Sequence, residues 1–353
     1  MAAVLPPEDA ALFSRFYNVT AEGNFEGRSV LHVPVPPEEF AKRFGLAPEE
    51  LERRLASMRA KLLEARGRRT PPGRDDKVLA DWNGLMIAAL ANSALIFAAA
   101  AWLDLAKRAF DAIVRNMSRD NRLGHAWRAG RLTLPGLASD YAAMIRAALA
   151  LNEATGERSY LDQALAWQRS LDRHYANPDT GRYFLTADDA EGLVVRPQST
   201  LDEAIPNPNA LIAQNLVRLA VLAGDDSWRA KADGLLDALL PLAAENLFSH
   251  VSPLNALDLR LRAAEIVVTG QGGEADALVQ AALKVPYIDR IVVRAPTPDA
   301  VPATHPAAAK VAAAPSGAAF ICVGERCSLP VTSPDQIAPA IEQMRHGSVQ
   351  PTS

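Results

Sequence analysis

The sequence predicts a mainly α-helical protein in which helical hairpins form a toroid or part of one. One pattern occurs three times, an aromatic residue followed four residues later by alanine and then an amphipathic stretch, beginning at Trp102, Tyr160 and Trp228. A more apolar stretch precedes each copy, at residues 84–98, 140–154 and 209–222. Apolar inner helices with amphipathic outer helices are typical of two concentric helical layers. The three aromatic residues are 58 and then 68 residues apart, which accommodates one hairpin and a long return loop.

The segments that flank and connect these hairpins carry patterns that predict their own secondary structure. The chain to about Val35 has the character of loop and strand, and residues 48–66 are predicted to form a helix. Glycine at a helix C-terminus predicts short, tight links inside two hairpins, at Gly156 and Gly224. Alternating residues predict that two return loops are β-hairpins, at residues 124–132 and 181–196. In a toroid such loops gather on one face, over the central cavity.

The pattern changes after Pro253. Residues 265–270, 290–294 and 318–323 are predicted strands, and a helix over residues 274–285 makes the first two a βαβ unit with a small parallel sheet. A Pro/Ala-rich segment, residues 295–315, is predicted to be a mobile loop, and residues 335–345 a last helix. We therefore expect a helical domain over residues 1–263 and a small α/β subdomain over residues 264–353.

Composition and charge exclude several classes of protein. The formal net charge of −4 favours neither nucleic acid nor an anionic membrane as a partner. The most apolar window is interrupted by Asn92, Ser93 and Asp104, so we predict a buried helix there and no membrane span. The first residues lack the basic and apolar parts of a secretory signal, and only two cysteines are present. These features predict a cytoplasmic protein.

Five ordered segments of this chain resemble one family. They are Asn-Phe-Glu-Gly at 24–27, Gly-Arg-Asp-Asp-Lys-Val-Leu at 73–79, Asp-Trp-Asn-Gly-Leu-Met at 81–86, Thr-Ala-Asp-Asp-Ala-Glu at 186–191 and Cys-Val-Gly-Glu-Arg-Cys-Ser-Leu-Pro at 322–330. In this order they resemble the YyaL-like, spermatogenesis-associated thioredoxin-domain proteins. The resemblance implies an (α/α)6 toroid of six hairpins, the architecture of N-acylglucosamine 2-epimerases and many glycosidases. It leaves the reaction open.

The chain also departs from that family's pattern. Family members begin with a thioredoxin-like domain, whereas this sequence has no Cys-x-x-Cys motif. It also shows three clear helical hairpins and one further helix at residues 48–66. We therefore expect a C-terminal fragment with an incomplete toroid, for which the thioredoxin-like portion of a longer protein would be a partner.

Polar and aromatic residues mark the starts of two inner helices. Asp81, Trp82 and Asn83 precede the first, and Asp140 and Tyr141 begin the second. At a cavity mouth such residues would bind sugar-like hydroxyls and stack on a sugar ring. The alternative is a repeated capping device, in which the polar residues accept from the first helical N–H groups and Trp82 acts as a hydrophobic staple. Both interpretations remain open on sequence alone.

His125 is the best candidate for a general acid or base. It alternates with Trp127 on the first predicted hairpin, so both side chains point to the same face. The ordinary pKa of histidine lies near neutrality, which suits proton transfer. A hydrogen-bonded surface histidine is the alternative. No role is predicted for the histidines on outer or terminal segments, His174, His250, His305 and His346.

The second predicted hairpin carries a set of weaker candidates. Tyr183 and Arg196 lie on its strands, and its turn is acidic, with Asp188, Asp189 and Glu191. Paired carboxylates serve glycoside hydrolysis, but neighbouring turn residues rarely converge on one bond, so a solvated turn is the stronger interpretation. Asn207 precedes the third inner helix, which it caps even if it also faces the cavity.

The two cysteines and one glycine-rich turn complete the candidates. Cys322 and Cys327 lack the further ligands of a zinc site, and we predict two reduced, partly buried thiols, with a redox pair as the alternative. Residues 270–273, Gly-Gln-Gly-Gly, weakly resemble a phosphate-binding turn. No cofactor and no metal are predicted.

Two functions remain open. The first is a carbohydrate-active enzyme, an epimerase, isomerase or glycoside hydrolase that binds a small molecule such as a sugar. Its predicted catalytic residues are His125, Asp140 and Asp81. Its predicted substrate-binding residues are Trp82, Asn83, Trp127, Tyr141, Tyr183, Arg196 and Asn207. The second is a non-catalytic helical module of a thioredoxin-like thiol-disulfide protein, which would be inactive as this fragment.

Overall fold

The computed structural model describes residues 1–314 and 317–346, and the chain divides into two compact units. The first unit is Met1–Asp75 and the second is Asp76–Ser353. The predicted division at residues 263 and 264 is a different boundary and stays a prediction.

The first unit contains three helices, α1 (Pro7–Phe16), α2 (Pro37–Arg43) and α3 (Pro48–Gly67). Each begins with proline, whose fixed φ and missing N–H suit the first helical position. The prediction for α3 is confirmed. The loop and strand expected before Val35 is wrong over α1, because Phe13 and Phe16 are spaced to bury one helical face against α3.

Helical hairpins build most of the second unit. Their helices are α4 (Ala80–Ile96), α5 (Ala100–Met117), α6 (Ala138–Thr155), α7 (Arg158–His174), α8 (Pro208–Ala223), α9 (Asp226–Glu245) and α10 (Val251–Arg262). Helices α4, α6, α8 and α10 pack side by side as an inner layer, and α5, α7 and α9 cover them. The inner helix α6 is buried on nearly every face, whereas α5 and α7 are amphipathic. The predicted mainly helical, toroid-type arrangement of hairpins is confirmed, while α10 was not predicted.

Glycines permit two features of this layer. Helices α6 and α8 end at Gly156 and Gly224, whose φ angles of 77° and 66° are left-handed, so the predicted tight links are confirmed. Gly84 lets α4 approach α6 closely. A Cβ atom at Gly84 would lie 2.6 Å from the carbonyl carbon of Ala143.

Short strands form the return loops. They are β1 (Val78–Leu79), β2 (Ser118–Arg119), β3 (Arg122–Leu123), β4 (Ala126–Arg128), β5 (Arg131–Leu132), β6 (Ala176–Asn177) and β7 (Arg182–Tyr183). Strands β4 and β5 form the first predicted hairpin, and β1 adds to its other edge. The second predicted hairpin is wrong. Strand β7 pairs instead with β6, which precedes it in the sequence, and residues 188–196 form no strand.

The last part of the chain forms a four-stranded sheet. Its strands are β8 (Ala264–Thr269), β9 (Arg290–Ala295), β10 (Ala319–Val323) and β11 (Arg326–Cys327), in the order β11-β10-β8-β9. Strands β8 and β9 are parallel across helix α11 (Gly273–Lys284), which confirms the βαβ unit. Strand β10 joins antiparallel to β8.

Alternate residues of these strands enter two different cores. Val267, Val293 and Phe320 pack with the helical layers, whereas Ile266, Val292 and Ile321 pack with α11 and α13 (Ile337–His346). Side chains point alternately to the two faces of a strand, so the sheet joins both cores. The helix predicted over residues 335–345 is confirmed by α13.

The Pro/Ala-rich segment contains a helix rather than only a loop. Helix α12 (Ala307–Ala313) packs against β8 and β9, with Ala307 and Val311 buried in the helical core. The alanine-rich composition is typical of a low-complexity loop, but alanine also has the highest helix propensity of all residues. The prediction of a mobile loop is therefore wrong over α12, and Pro315 lies outside the described residues.

Cys322 and Cys327 are joined by a disulfide. They are directly opposite each other on the antiparallel strands β10 and β11, with 4.0 Å between their Cα atoms. The prediction of two reduced thiols is wrong, because the tight turn through Gly324 places the two side chains together on one face of the hairpin.

Among the described residues, none of the helices combines the length and the apolar character needed to cross a membrane.

Candidate functional site

Three elements bring Asp81, His125 and Asp140 together. Asp81 is the second residue of α4, Asp140 is the third residue of α6, and His125 directly precedes β4. The backbone N–H of Ala80 donates to the carbonyl of His125 at 3.0 Å, which fixes the hairpin against the start of α4. Ligand atoms of the three side chains all lie within 4.8 Å of one another. The three predicted catalytic residues therefore form one cluster.

Asp140 is the centre of this cluster and is fully buried. Its Oδ1 accepts from the N–H of Asp81 at 3.0 Å, and its Oδ2 accepts from the N–H of Leu137 at 2.7 Å. These bonds satisfy orphan donors at the starts of both α4 and α6. The Nδ1 atom of His125 lies 3.0 Å from Oδ2 and 3.2 Å from Oδ1. Capping and contact with the histidine are thus roles of the same carboxylate.

The environment of His125 favours a defined protonation pattern. Its Nδ1–H donates to Asp140, which leaves Nε2 as the second titrating atom. The hydrogen bond to Asp140 raises the pKa of His125 above its ordinary value, and burial opposes this shift. Burial raises the pKa of Asp140, and the hydrogen bond from His125 opposes that. The side chain of His125 is 30% exposed, so part of it is in contact with solvent.

Asp81 is buried and links the two helix starts. Its Oδ1 accepts from the N–H of Trp82 at 2.8 Å, and its Oδ2 accepts from the hydroxyl of Ser139 at 3.2 Å. Only 4% of Asp81 is exposed. The capping alternative considered for Asp81 therefore describes its contacts well.

The aromatic residues near the cluster differ in their surroundings. Trp82 is 60% exposed, which is incompatible with a hydrophobic staple. Trp127 is half-buried and lies opposite Val78 on the neighbouring strand. Asn83 donates from Nδ2 to the carbonyl of Leu79 at 2.7 Å. Two indoles and one constrained amide thus lie on the elements that carry the cluster.

The remaining predicted binding residues make structural contacts elsewhere. Tyr141 is fully buried, and its hydroxyl accepts from the N–H of Leu123 at 2.9 Å. Tyr183 donates its hydroxyl to Asp172 at 2.6 Å, and burial raises its pKa. Neither hydroxyl bonds to Asp81, His125 or Asp140 among the described residues, so a substrate contact for both stays a prediction.

Arg196 and Asn207 have their polar groups engaged as well. The guanidinium of Arg196 donates to the carbonyls of His174 and Thr186, at 2.9 and 2.7 Å from Nη2. The side chain of Asn207 accepts from two N–H groups at the start of α8, which confirms that it caps this helix. Their substrate-binding role remains a prediction.

Asp188 and Asp189, which the sequence marks as an acidic turn, belong to a second polar group whose other members, His174 and Arg122, are not evident from sequence. Nδ1 of His174 lies 2.8 Å from Asp188, and Arg122 donates to both oxygens of Asp189 at 2.7 and 2.8 Å. This contact holds the pKa of Asp189 at about 2. The spacing of His174, Asp188 and Asp189 suits a metal, but the guanidinium already neutralises Asp189. Arg122 is 67 residues from Asp189, so no local pattern reveals the pair.

Comparisons with known proteins place the chain among its relatives. No family model matches. The chain is 30% identical to human spermatogenesis-associated protein 20 over an alignment of 372 positions, which covers 96% of the chain and 46% of that protein. The mouse protein of the same name is 29% identical, over 91% of the chain and 43% of the relative. The chain therefore spans about half the length of the curated relatives that it matches.

Solved structures give only partial likenesses. A GH76 α-mannanase of Bacteroides thetaiotaomicron aligns with a TM-score of 0.44 and 14% identity, over 53% of each chain. A cellobiose 2-epimerase of Bacillus thermoamylovorans aligns with a TM-score of 0.39 and 14% identity, over 46% of this chain and 44% of the epimerase. No reaction is inferred from alignments this partial. The sequence relatives are the stronger finding, and on their evidence the chain is a homologue of spermatogenesis-associated protein 20, similar to it over most of the chain's length.

Proposed function

We propose that the second unit carries an acid/base site for a carbohydrate, with His125 as the catalytic residue and Asp140 as its positioning residue. One observation supports this most. A fully buried carboxylate holds Nδ1 of a histidine whose side chain is 30% exposed. This arrangement fixes the tautomer and orientation of the imidazole and leaves Nε2 to exchange a proton with a bound molecule.

The same contacts favour proton transfer over glycoside hydrolysis. Hydrolysis uses two carboxyl groups that flank the bond to be broken. Here Asp81 and Asp140 are 4% and 0% exposed, and both accept hydrogen bonds from helix starts. Neither carboxylate is free to act as acid or nucleophile. Within the carbohydrate-active class we therefore propose an epimerase or isomerase, in which Nε2 of His125 removes the proton from the carbon beside a sugar carbonyl to give an enediol. The proton then returns to the opposite face of that carbon in epimerisation, or to the former carbonyl carbon in isomerisation, where the hydroxyl proton of the neighbouring carbon moves to the other oxygen.

The substrate class is proposed from the aromatic residues. Trp82 and Trp127 lie on the two elements that carry Asp81 and His125, and Trp82 exposes most of its indole. An aromatic face packs on the C–H face of a sugar ring, while neighbouring polar groups bind its hydroxyls. An exposed indole beside polar side chains supports a sugar better than an apolar ligand.

Deuterium exchange tests this proposal directly. The protein is incubated in D2O with a panel of aldoses and ketoses, and loss of the proton beside the carbonyl is followed by ¹H NMR. We expect exchange for at least one sugar, and a loss of about 10²- to 10⁴-fold in His125→Ala, the usual contribution of an acid/base group. His32→Ala is the matched control, because His32 is an exposed histidine of the first unit. Absence of exchange for every sugar, or equal rates in His125→Ala, contradicts the proposal.

The non-catalytic helical module is the second candidate, and one observation favours it. Helix α4 and its C-terminus expose a row of apolar side chains that includes Trp82, Met86, Ile96 and Phe97. Exposed apolar patches commonly mark protein interaction sites. If this candidate holds, the sugar panel gives no exchange, and Trp82→Ala and Met86→Ala weaken binding to a partner without altering any reaction.

A further inference from the structure

Three arginines surround one tyrosine ring where the inner helices meet the sheet. They come from separate elements, Arg146 from α6, Arg218 from α8 and Arg290 from the first position of β9. Their guanidinium carbons lie 5.6, 3.5 and 5.5 Å from the ring centroid of Tyr287. We call Arg146, Arg218, Arg290 and Tyr287 the arginine cluster.

The charge of the cluster is not balanced by the protein. Glu153 is 3.0 Å from Arg218, and both side chains are almost completely buried. In the part of the chain that the structure describes, no other carboxylate forms an ion pair with the three arginines. Three guanidinium groups and one carboxylate leave two positive charges in excess. Buried charges are normally paired, so this excess requires an explanation.

The unbalanced charge is concentrated on two of the three arginines. Arg218 is well satisfied, since it also donates to the carbonyls of Arg290 and Tyr287. Arg290 is only 1% exposed, its Nε has no partner, and its Nη2 lies 3.5 Å from Oδ1 of Asn92, which is a weak contact. The guanidinium of Arg146 forms no hydrogen bond within residues 1–314 and 317–346. Burial lowers the pKa of both Arg146 and Arg290, and for Arg290 the charge of Glu153 only opposes this shift in part.

The tyrosine adds an unsatisfied hydroxyl. The hydroxyl of Tyr287 is buried and has no partner among the described residues. A hydroxyl and two guanidinium groups are donors suited to a planar or tetrahedral oxyanion, for which arginine is the preferred side chain. Arg146 is half-buried, so the cluster meets solvent at this side chain.

We propose that the arginine cluster binds a small oxyanion of the phosphate class, with Arg146, Arg290 and the hydroxyl of Tyr287 as donors. Arg218 holds the ring and Glu153 in place rather than the anion. The anion would come from free inorganic phosphate or from the phosphate group of a phosphorylated small molecule. This proposal does not depend on the acid/base role of His125, which lies on a different element.

Binding of inorganic phosphate to the full chain tests the proposal. Equilibrium dialysis with labelled phosphate at constant ionic strength should give saturable binding of about one phosphate per chain. Loss of a charge-assisted hydrogen bond should weaken that binding about ten- to hundred-fold in Arg146→Ala. Arg169→Ala is the matched control, because Arg169 is an exposed arginine on α7, and it should bind phosphate as the wild type does.

Two further measurements keep the result unambiguous. Arg146→Lys retains the charge without the planar fork, so it should bind phosphate between the wild type and Arg146→Ala, and circular dichroism should show both variants folded. Glucose 6-phosphate bound more tightly than phosphate identifies a phosphorylated small molecule as the source, and equal affinity identifies the free anion. Absence of saturable binding, or unchanged binding in folded Arg146→Ala, overturns the proposal.

Discussion

His125 shows what a single residue reveals before a structure is known. Its ordinary pKa and its position beside Trp127 made it a candidate, as helix-start position did for Asp81 and Asp140. Their mutual contact was not predictable, because Asp81 and Asp140 are 59 residues apart in sequence and meet only through packing of α4 on α6. Tyr183 and Asn207 were chosen by the same kind of local reasoning, yet their polar groups serve Asp172 and the start of α8.

The raised pKa of His125 can be tested by titration of the wild type and of a variant without the Asp140 carboxylate. Asp140 stabilises the imidazolium, so ¹H NMR should give a pKa above about 6.5 in the wild type and a lower value in Asp140→Asn. Because the folded pKa lies above the unfolded one, the stabilising contribution of the imidazolium is fully present below about pH 6.5 and is lost as pH rises through the folded pKa. An equal or higher pKa in Asp140→Asn would contradict the assigned contact.

The same shift predicts a pH profile for any reaction that uses His125 as a base. The base must be neutral, so kcat/KM should rise with pH through the pKa of His125. In Asp140→Asn this rise should move to lower pH, and the maximum should fall because the imidazole is no longer held in place. A profile that does not move would show that another group titrates.

At the scale of elements, periodic patterns were reliable and composition was not. The paired inner and outer helices followed from aromatic and apolar spacing, and the βαβ unit from two β-branched runs around a helix. Helix α10 is not evident from sequence, because a proline such as Pro253 commonly ends a helix, although it is tolerated in the first turn. The second hairpin was mispredicted because β7 pairs with residues that precede it rather than with those that follow.

Gly84 provides a test of the packing between α4 and α6. Gly84→Ala places Cβ 2.6 Å from a backbone carbon of Ala143, where a rigid helix cannot yield cheaply. We expect a loss of about 1–3 kcal/mol in the free energy of unfolding, measured with urea. Gly234→Ala is the control in α9, since nothing lies within 4 Å of its Cβ position. That variant should gain about 0.5–1 kcal/mol from helix propensity. Similar losses in both variants would contradict the close approach.

At the scale of the whole molecule, the sheet is tied to the helical layers by a buried ion pair. Glu153 on α6 binds Arg218 on α8, and Arg218 donates to the carbonyl of Arg290 on β9. Glu153→Ala would leave the buried Arg218 without its carboxylate, and we expect a cost of about 3–5 kcal/mol in urea unfolding. Glu157→Ala should lower the free energy of unfolding far less, because Glu157 and its partner Lys107 are both exposed. A small effect of Glu153→Ala would show that the pair is not essential for docking the sheet.

The division into two units predicts where a protease cuts first. Helix α3 ends at Gly67 and β1 begins at Val78, so the intervening residues have no helix or strand to protect them. They include several arginines, which trypsin recognises. Brief digestion should give a stable fragment that begins within residues 68–78, identified by mass spectrometry. Early cleavage inside α6 or α8 would contradict the compactness of the second unit.

Asp140 has a structural role as well as its proposed chemical role. The carboxylate that orients the imidazole also accepts one backbone N–H at the start of each of two neighbouring helices. A loosening of either helix start would therefore reach the imidazole as a change in its orientation and proton affinity. Conversely, a charged ligand bound to His125 would alter the hydrogen bonds that Asp140 accepts at the N-termini of both helices. One side chain thus makes the histidine a reporter of whether this pair of helices is correctly joined.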